Sequence, residues 1–348
     1  MSNSKGTTPE SSTDDDRYAV AVVGGGPAGL TTALYAARLG HETVVFDRGG
    51  GRAAMMQDTH NVIGTPESVS GADFLSTAVD QLRSYGADYR REFVTGIERV
   101  DDSFALETTD GSAVAERVVL ATGFTDERPE PPLPRTGRGL HYCLHCDAYM
   151  FVGESVYVMG HSESAAHVAM IMLNFTDDVD LLLRGDEPTW SDETATLLEG
   201  HPVDIVHEDV TGVRNGDDGW LEALEFADGT VREYRGGFAM YGSEYNNGLA
   251  ASLGADLNDD GTVAVDDHGR TSVDGLSAVG DLTPGHNQIP VAMGQGAKAG
   301  LAIHKGLRTF PKSLAELEAE GPVSTSDAPT MAAGPGTETS EQASTGDD

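Results

Sequence analysis

Cysteine is scarce in this sequence of 348 residues, which contains only Cys143 and Cys146. Two thiols cannot build the disulfide framework of a small secreted domain, so a metal-binding or catalytic role is favoured over a structural one. Basic residues are also few, with 22 Lys and Arg against 57 Asp and Glu and a formal net charge of −35. A body this acidic repels nucleic acid and anionic lipid, which argues against both as partners.

Long hydrophobic runs are absent as well. The most apolar stretch, residues 18–39, is interrupted by three consecutive glycines and a proline and contains Arg38, so no membrane span is predicted. The N-terminal residues are rich in Ser, Thr and Asp and have no apolar core. We therefore expect no signal peptide and a cytoplasmic location.

The acidic excess is not confined to the ends of the chain. Without residues 1–16 and 322–348, 48 acidic residues still face 21 basic ones. Such a halophilic-type surface is typical of proteins in a high-salt cytoplasm, where screening over a few ångströms removes the self-repulsion. An ordinary acidic protein is the alternative.

The length and the pattern of the chain predict two α/β domains. A strand, a glycine turn, a helix and a second strand follow one another twice, with nearly equal spacing in the two copies. This repetition indicates two related nucleotide-binding units. The predicted elements are a strand at 18–23, a helix at 27–39 and a strand at 43–46, then a strand at 155–159, a helix at 164–173 and a strand at 179–183.

The remaining segments suggest that the second unit is inserted into the first. A proline-rich run, Pro129, Pro131, Pro132 and Pro134, is typical of a linker between them. The strands expected at 263–265 and 278–279 and the helix at 291–307 have no nucleotide turn of their own, so they complete the first unit. The predicted fold is two Rossmann-like three-layer α/β domains: the first at 17–126 and 247–321, the inserted one at 127–246, and disordered tails at 1–16 and 322–348.

The first glycine turn has the spacing G-x-G-x-x-G between a strand and a helix. Gly24 makes the tight turn, Gly26 lets the backbone approach a pyrophosphate, and Gly29 allows close packing of helix and strand. Asp47 closes the next strand and is placed to accept a hydrogen bond from a ribose hydroxyl. An acid there favours FAD or NAD over a cofactor with a 2′-phosphate, and a glycine turn without ligand is the alternative.

The second turn departs from this pattern. Ser162 stands where a glycine would permit backbone approach, between Gly160 and Ala165. Glu163 places a carboxylate at the helix N-terminus, which stabilises the helix but repels a pyrophosphate. Arg184 is positioned to receive the 2′-phosphate of NADP. Binding of NADPH or NADH, and a fold retained without that ligand, both stay open.

A third motif follows near the end of the ordered chain. Gly280 and Asp281 close a strand, and Asp281 is a candidate to hold the ribityl chain or phosphate of a flavin. The helix that begins after Gln288 would aim its positive end at the anionic edge of a reduced flavin.

Three interpretations of Cys143 and Cys146 remain at this point. A thiol–disulfide couple beside a flavin is preferred, with Asp147 as the acid and base for the thiol protons. A zinc site would need His141 or His145 as further ligands, and ligands within six residues can hardly surround one ion tetrahedrally. Two inert thiols are the third possibility. If the couple is redox-active, a protonated His145 would stabilise the thiolate of Cys146 and make the disulfide more oxidising.

Together these motifs resemble the low-molecular-weight thioredoxin reductase family, which is class II of the FAD-dependent pyridine nucleotide-disulfide oxidoreductases. The resemblance covers residues 17–310 and rests also on Asn61 and on Ala121-Thr122-Gly123. It implies FAD in the first domain, a homodimer and a rotating inserted domain that carries the dithiol. The residues it implies for FAD are Gly24, Gly26, Pro27, Ala28, Gly29, Asp47, Arg48, Gly51, Arg52, Asn61, Ala121, Thr122, Gly123, Gly280, Asp281, Asn287, Gln288 and Ile289.

The resemblance also implies roles at the dithiol. Cys146 becomes the flavin-facing sulfur, Cys143 attacks the disulfide of a partner, and Asp147 handles protons. The candidate catalytic set is therefore Cys143, Cys146, Asp147 and His145, and the candidate nicotinamide site is Gly160, Ser162, Ala165 and Arg184.

Several residues differ from the family pattern. The family's Gly-x-Gly-x-x-Ala turn is broken at Ser162, and its His-Arg-Arg cluster is replaced by Leu183-Arg184-Gly185. A flavin-side Gln is replaced by Arg52, and the Arg before Gln288 by Asn287. NADPH is therefore expected to be a poor electron donor.

The sequence thus predicts a FAD-dependent disulfide reductase of thioredoxin reductase type. Its expected partner is a small thioredoxin- or glutaredoxin-like disulfide protein. The alternatives are a reductase that takes electrons from ferredoxin, a dithiol oxidase that uses oxygen, and a non-catalytic flavin-bound redox sensor.

Overall fold

A computed structural model describes residues 17–129, 133 and 136–327. The predicted N-terminal tail, most of the predicted C-terminal tail and three of the four linker prolines lie outside these residues. The fourth, Pro129, is buried.

The strands in this part of the chain are β1 (Arg17–Val23), β2 (Thr43–Phe46), β3 (Asp88–Arg90), β4 (Val94–Val100), β5 (Ser103–Thr108), β6 (Ser112–Leu120), β7 (Phe124–Asp126), β8 (Leu140–His141), β9 (Val156–Met159), β10 (Val179–Leu182), β11 (Asp204–Val206), β12 (Val210–Asn215), β13 (Leu221–Phe226), β14 (Val231–Glu233), β15 (Gly236–Ala239), β16 (Ser243–Tyr245) and β17 (Leu276–Ala278). The α-helices are α1 (Pro27–Arg38), α2 (Gly71–Ser84), α3 (Leu144–Asp147), α4 (Glu163–Met172), α5 (Asp192–Glu199), α6 (Gly248–Ser252), α7 (Ile289–Leu307) and α8 (Leu314–Glu320). Short 3₁₀ helices lie at Arg52–Met55, Ala148–Phe151, Gly280–Leu282 and Thr325–Asp327.

The chain divides into two compact units. Among the described residues, the first unit comprises 17–53, 74–123 and 246–327, and the second comprises 54–73 and 124–245. The sequence did not indicate that 54–73 belongs with the second unit. The functional domain boundaries given above stay predictions.

The first unit is built on a seven-stranded sheet in the order β3-β2-β1-β6-β5-β4, with β17 also paired to β6. The pairs that join β3, β2, β1, β6 and β17 are parallel, while β4, β5 and β6 form an antiparallel meander. The central strand β1 is apolar and buried along Val20–Val22, as expected for a parallel strand covered on both faces.

Helices α1 and α7 pack closely on one another because both present small residues. A Cβ at Gly296 of α7 would lie 2.3 Å from the carbonyl oxygen of Ala28 in α1. The hydroxyl of Thr32 donates to the carbonyl oxygen of Gly296 at 3.2 Å. This contact holds the start of α1 against α7.

The second unit has a five-stranded sheet in the order β11-β10-β9-β15-β8, all parallel, with β8 at one edge. A three-stranded antiparallel sheet, β12-β13-β14, and the antiparallel pair β7–β16 complete the unit. Because parallel strands end at the same edge, the segments after β8, β9, β10 and β15 meet at one side of the sheet. The predicted fold class, α/β with two Rossmann-like units, is confirmed.

The predicted elements of both repeats are present to within two residues, but one strand expected later in the chain is absent. Residues 263–265 do not form a strand: Val263 makes only an isolated bridge with Leu257. The N–H of Val263 donates to the carbonyl oxygen of Leu282, and a turn held by the side chains of Asp260 and Thr262 precedes it. The backbone groups that a strand would have paired are therefore used by the loop.

None of the helices in the described residues is long and apolar enough to cross a membrane.

Candidate active site

The first glycine turn joins β1 to α1 and leaves no room for side chains where the backbone folds back. Gly24 has a φ of +114°, and a Cβ there would lie 2.3 Å from the carbonyl oxygen of Ala121. A Cβ at Gly29 would lie 2.0 Å from the carbonyl oxygen of Gly24. Both positions therefore require glycine, in agreement with the spacing of the motif.

Gly26 differs because a Cβ at this residue would meet nothing within 4 Å. Gly26 is the N-cap of α1 and offers no side chain to cap it, Pro27 follows, and no acid lies in the first turn. The N–H groups at the start of α1 are therefore left for an external anion. The pyrophosphate of FAD fits this position because it accepts hydrogen bonds and meets the positive end of the helix.

Replacing Gly26 with alanine tests this placement. We expect Gly26→Ala to weaken FAD binding at least about tenfold, because a methyl group forced into a tight contact costs about 1–3 kcal/mol. The melting temperature of the apoprotein should not change. The measurement is fluorescence titration of apoprotein with FAD, and the matched control is Gly111→Ala, whose Cβ also meets nothing within 4 Å. Unchanged FAD affinity in Gly26→Ala would contradict the assignment.

Asp47 lies immediately after β2 and faces the glycine turn. A Cβ at Gly25 would lie 2.6 Å from the carboxyl carbon of Asp47. One carboxylate oxygen accepts from the N–H of Gly49 at 3.0 Å, and the other accepts from the hydroxyl of Tyr89 at 2.6 Å. Burial and this hydrogen bond raise the pKa of the Tyr89 hydroxyl, so Tyr89 stays a donor. These contacts fix the carboxylate beside the turn, where the sequence predicts a ribose.

The Gly280–Asp281 motif is joined to the glycine turn. Gly280 has a φ of +72°, and a Cβ there would lie 2.8 Å from the Cβ of Ala28. Its N–H donates to the side-chain oxygen of Gln295 at 2.9 Å, and Gln295 was not identified from the sequence. Helix α7 begins after Gln288 without a side-chain cap and without an acid in its first turn. Its N-terminus is therefore also suited to an electron-rich ligand.

The Ala121-Thr122-Gly123 segment completes this part of the site. Thr122 exchanges two hydrogen bonds with Asn246: its hydroxyl donates to the backbone oxygen of Asn246 at 2.8 Å, and the Asn246 amide donates back at 2.9 Å. Gly123 has a φ of +61°. Asn246 was also missed, because its partner lies 124 positions away.

The other predicted flavin residues are less closely connected with this centre. Arg48 is exposed, with its guanidinium 5.9 Å from the ring centre of Phe93. Asn61 is exposed and lies in the segment assigned to the second unit. The roles of Arg48, Gly51, Arg52, Asn61, Asn287 and Ile289 stay predictions, as do those of the other residues that the sequence suggests for FAD.

The second turn has the expected backbone but a different capping pattern. Gly160 follows β9 with a φ of +141°, and a Cβ there would lie 2.8 Å from the carbonyl oxygen of Met240. Ser162 is the N-cap of α4, and its hydroxyl accepts from the N–H of Ala165 at 3.4 Å. One N–H that a phosphate would use is thus satisfied by the chain itself.

Glu163 and its neighbours tie this turn to the loop after β10. The Glu163 carboxylate accepts from the N–H of Ser191 at 2.9 Å and from the hydroxyl of Thr194. These hydrogen bonds, that of Thr194 above all, lower the pKa of Glu163, so it stays charged. The carbonyl oxygen of His161 accepts from the N–H of Thr189 at 2.8 Å. The loop therefore lies on the turn, where a dinucleotide would need an open crevice.

Arg184 occupies the position predicted for binding a 2′-phosphate, but it is only 9% exposed. It has a φ of +55°, a conformation that is uncommon for a residue other than glycine. Burial raises the pKa of the neighbouring Tyr241 hydroxyl, and the positive charge of Arg184 opposes that rise. The guanidinium thus interacts with Tyr241 inside the unit.

The two cysteines lie directly after the edge strand β8. Cys143 and Cys146 form a disulfide. Cys143 is the N-cap of α3, and its sulfur accepts from the N–H of Cys146 at 3.1 Å. The sulfurs are therefore bonded to each other, at the side of the sheet where the parallel strands end. This is the oxidised form of a thiol–disulfide couple.

Asp147 has a partner that the sequence did not reveal. Its carboxylate oxygen Oδ2 lies 2.7 Å from Nδ1 of His141. His141 is 4% exposed, whereas the Asp147 side chain is 22% exposed. The sequence alone suggests His141 only as a zinc ligand. His145, the other histidine of the segment, is exposed, so its effect on the Cys146 thiolate stays a prediction.

A dinucleotide-type turn in one α/β unit and a Cys-x-x-Cys disulfide in a second α/β unit indicate a flavin-linked disulfide oxidoreductase. The chain belongs to the pyridine nucleotide-disulphide oxidoreductase family, whose model matches residues 18–296. It is a FAD-dependent disulfide oxidoreductase of the thioredoxin reductase type. The resemblance stated from the sequence is thereby confirmed.

Individual relatives agree on this class. A thioredoxin reductase of Aquifex aeolicus is 28% identical over 310 residues, which cover 84% of this chain and 94% of the relative. A thioredoxin reductase of Helicobacter pylori is 28% identical, with 81% and 96% covered. The crystal structure of thioredoxin reductase from Streptococcus pyogenes superimposes with a TM-score of 0.79 at 27% identity, covering 85% of this chain and 100% of that one.

Proposed function

We propose that this protein reduces the disulfide of a small thioredoxin- or glutaredoxin-like protein by means of the Cys143–Cys146 pair. The observation that carries the proposal is the Cys-x-x-Cys disulfide after β8, made by the only two cysteines of the chain. Asp147, held beside the pair by a hydrogen bond from His141, is available for proton transfer. The names of the relatives, thioredoxin reductases, support this class of partner.

Each residue of the pair has one task in the cycle. Reduced FAD, when bound, would supply two electrons, and with two protons the Cys143–Cys146 disulfide would become two thiols. The thiolate of Cys143 then attacks the disulfide of the partner and releases one partner thiol. The thiolate of Cys146 attacks Cys143 in the mixed disulfide, releases the second partner thiol and restores the Cys143–Cys146 bond. Asp147 gives and takes the protons of these steps.

FAD would be held by the first glycine turn, by Asp47 and by the starts of α1 and α7. The N–H groups of α1 would bind its pyrophosphate, and Asp47 its ribose. The start of α7, without an acid in its first turn, would face the electron-rich ring edge. A homodimer, reduced ferredoxin as electron donor and a cytoplasmic location stay predictions from the sequence.

Reductive titration under anaerobic conditions tests the proposal. The wild-type holoenzyme should consume two electrons for FAD and two more for the disulfide before free dithionite accumulates. Cys146→Ser should consume only the two electrons of FAD. The measurement is dithionite titration followed by flavin absorbance, with thiols counted by alkylation and mass spectrometry. Equal electron uptake by the wild type and Cys146→Ser would contradict electron transfer between FAD and the pair.

A further inference from the structure

His141 is held in place from several sides. Its backbone belongs to the edge strand β8 and is paired in register with Phe238 of β15. Its ring lies 5.2 Å from the ring of Phe151, edge to face, and stacks at 6.3 Å on Trp220. A side chain buried in this way has little freedom to change its rotamer.

The hydrogen bonds of the ring define which nitrogen carries the proton. The N–H of Gly139 donates to Nε2 of His141 at 3.4 Å, so Nε2 accepts and the ring proton lies on Nδ1. Nδ1 then donates to Oδ2 of Asp147 at 2.7 Å. The donor direction is thus fixed by the backbone on the far side of the ring.

Asp147 has little else to fix its carboxyl group. It closes the four-residue helix α3, and its backbone N–H donates to the carbonyl oxygen of Cys143 at 3.2 Å. Its side chain is partly exposed, so without a partner the carboxyl group would rotate among several orientations in water. The bond from His141 occupies one carboxylate oxygen and leaves the other for exchange of protons.

We propose that His141 is a positioning residue for the dithiol chemistry, holding the carboxyl group of Asp147 in one orientation beside the Cys143–Cys146 pair. His141 transfers no proton to a sulfur. Its backbone is fixed in the parallel sheet, and its hydrogen bond restricts the carboxyl group of an acid on a short helix. The proposal rests on the role of Asp147 given under the proposed function.

Opening of the disulfide by dithiothreitol measures this role without any physiological donor or partner. A dithiothreitol thiolate attacks one sulfur of the pair, and the other sulfur leaves as a thiolate that takes a proton. The second dithiothreitol thiol then closes the cyclic disulfide, so two electrons pass to the pair and dithiothreitol is oxidised. Acid quench, alkylation and mass spectrometry of the holoenzyme give the rate of opening.

Two replacements of His141 separate positioning from packing. His141→Asn retains a donor near the place of Nδ1 but loses the ring, whereas His141→Phe retains the ring and loses the donor. We expect opening in His141→Phe to be about tenfold slower than in the wild type, which is less than the 10²–10⁴-fold typical of the loss of a general acid itself. His141→Asn should stay within about threefold of the wild type, a difference that its own small repacking explains.

Two outcomes would overturn the proposal. Opening of His141→Phe at the wild-type rate would show that the donor is not needed. Equal slowing of opening in His141→Phe and His141→Asn would show that the ring acts only through packing. In that case the melting temperatures of the variants should fall in parallel with their rates of opening.

An Asp147→Asn background makes the test independent of stability. If His141 acts through Asp147, His141→Phe should slow opening no further in that background, because no acid remains there for the ring to hold in place. A further tenfold loss there would contradict the proposal. Failure of the reduced wild type to reduce thioredoxin would contradict the proposed function alone, since the dithiothreitol rates do not involve that partner.

Discussion

Replacing Cys146 with serine is expected to stop disulfide reduction while FAD stays bound and reducible. With FAD reduced photochemically and oxygen excluded, oxidised thioredoxin should reoxidise the wild-type flavin but should act at least about 10³-fold more slowly on Cys146→Ser. Loss of a catalytic nucleophile has effects of this order or larger. The measurement is stopped-flow flavin absorbance after mixing.

Two controls accompany this experiment. Cys143→Ser should also fail to transfer electrons, because it has no disulfide to accept electrons from FAD and lacks the sulfur that attacks the partner. Oxygen admitted at the end should reoxidise all three proteins, which shows that each flavin is intact. Reoxidation of Cys146→Ser by thioredoxin at the wild-type rate would mean that electrons leave FAD by a route that avoids the pair.

The second large effect concerns the electron donor. We expect NADPH and NADH to reduce the bound FAD poorly, because the second glycine turn is bound to the chain's own loop. Glu163 keeps a carboxylate at the start of α4, fixed by Ser191 and Thr194. A pyrophosphate at this helix N-terminus would face that charge, and like charges placed opposite each other weaken binding.

Removing the charge of Glu163 should restore part of the affinity. Glu163→Gln retains an acceptor for Ser191 and Thr194, and we expect it to lower the apparent Kd for NADPH at least about tenfold. The measurement is anaerobic stopped-flow reduction of FAD over a range of NADPH concentrations. Glu193→Gln removes the same charge from the first turn of α5 and is the matched control.

Two results would contradict this account of the second turn. One is fast reduction of wild-type FAD by micromolar NADPH. The other is equal NADPH affinity in Glu163→Gln and Glu193→Gln, which would mean that the carboxylate at the turn does not decide binding.

The parts of the fold that depend on short-range spacing could be predicted from the sequence. Gly24, Gly26 and Gly29 identify a turn whose geometry is local, and Asp47 follows from the length of one strand–helix–strand unit. The equal spacing of the second strand–helix–strand unit likewise predicts the positions of Gly160 and Arg184. It does not show that Arg184 is buried, because its neighbour Tyr241 lies between β15 and β16, far along the chain.

The parts that depend on distant pairing could not be predicted. His141 meets Asp147 only because β8 pairs with β15 and the chain then turns into α3. Gln295 reaches Gly280 only because α7 packs on α1. The segment at 263–265 has the residues of a strand, but the N–H of Val263 donates to Leu282 in a 3₁₀ helix and that of Ala264 to Asp256, so neither pairs with a strand. None of these contacts can be predicted from the spacing of residues in the sequence.

The central claim is that electrons pass from FAD through Cys143 and Cys146 to the disulfide of a small protein. It is tested most directly by mixing reduced wild-type holoenzyme with oxidised thioredoxin in the absence of oxygen and counting the thiols formed. The account predicts that the flavin is reoxidised and that two thioredoxin thiols appear for each electron pair lost by the protein. A flavin that stays reduced until oxygen is admitted, with no thiols on thioredoxin, would contradict it.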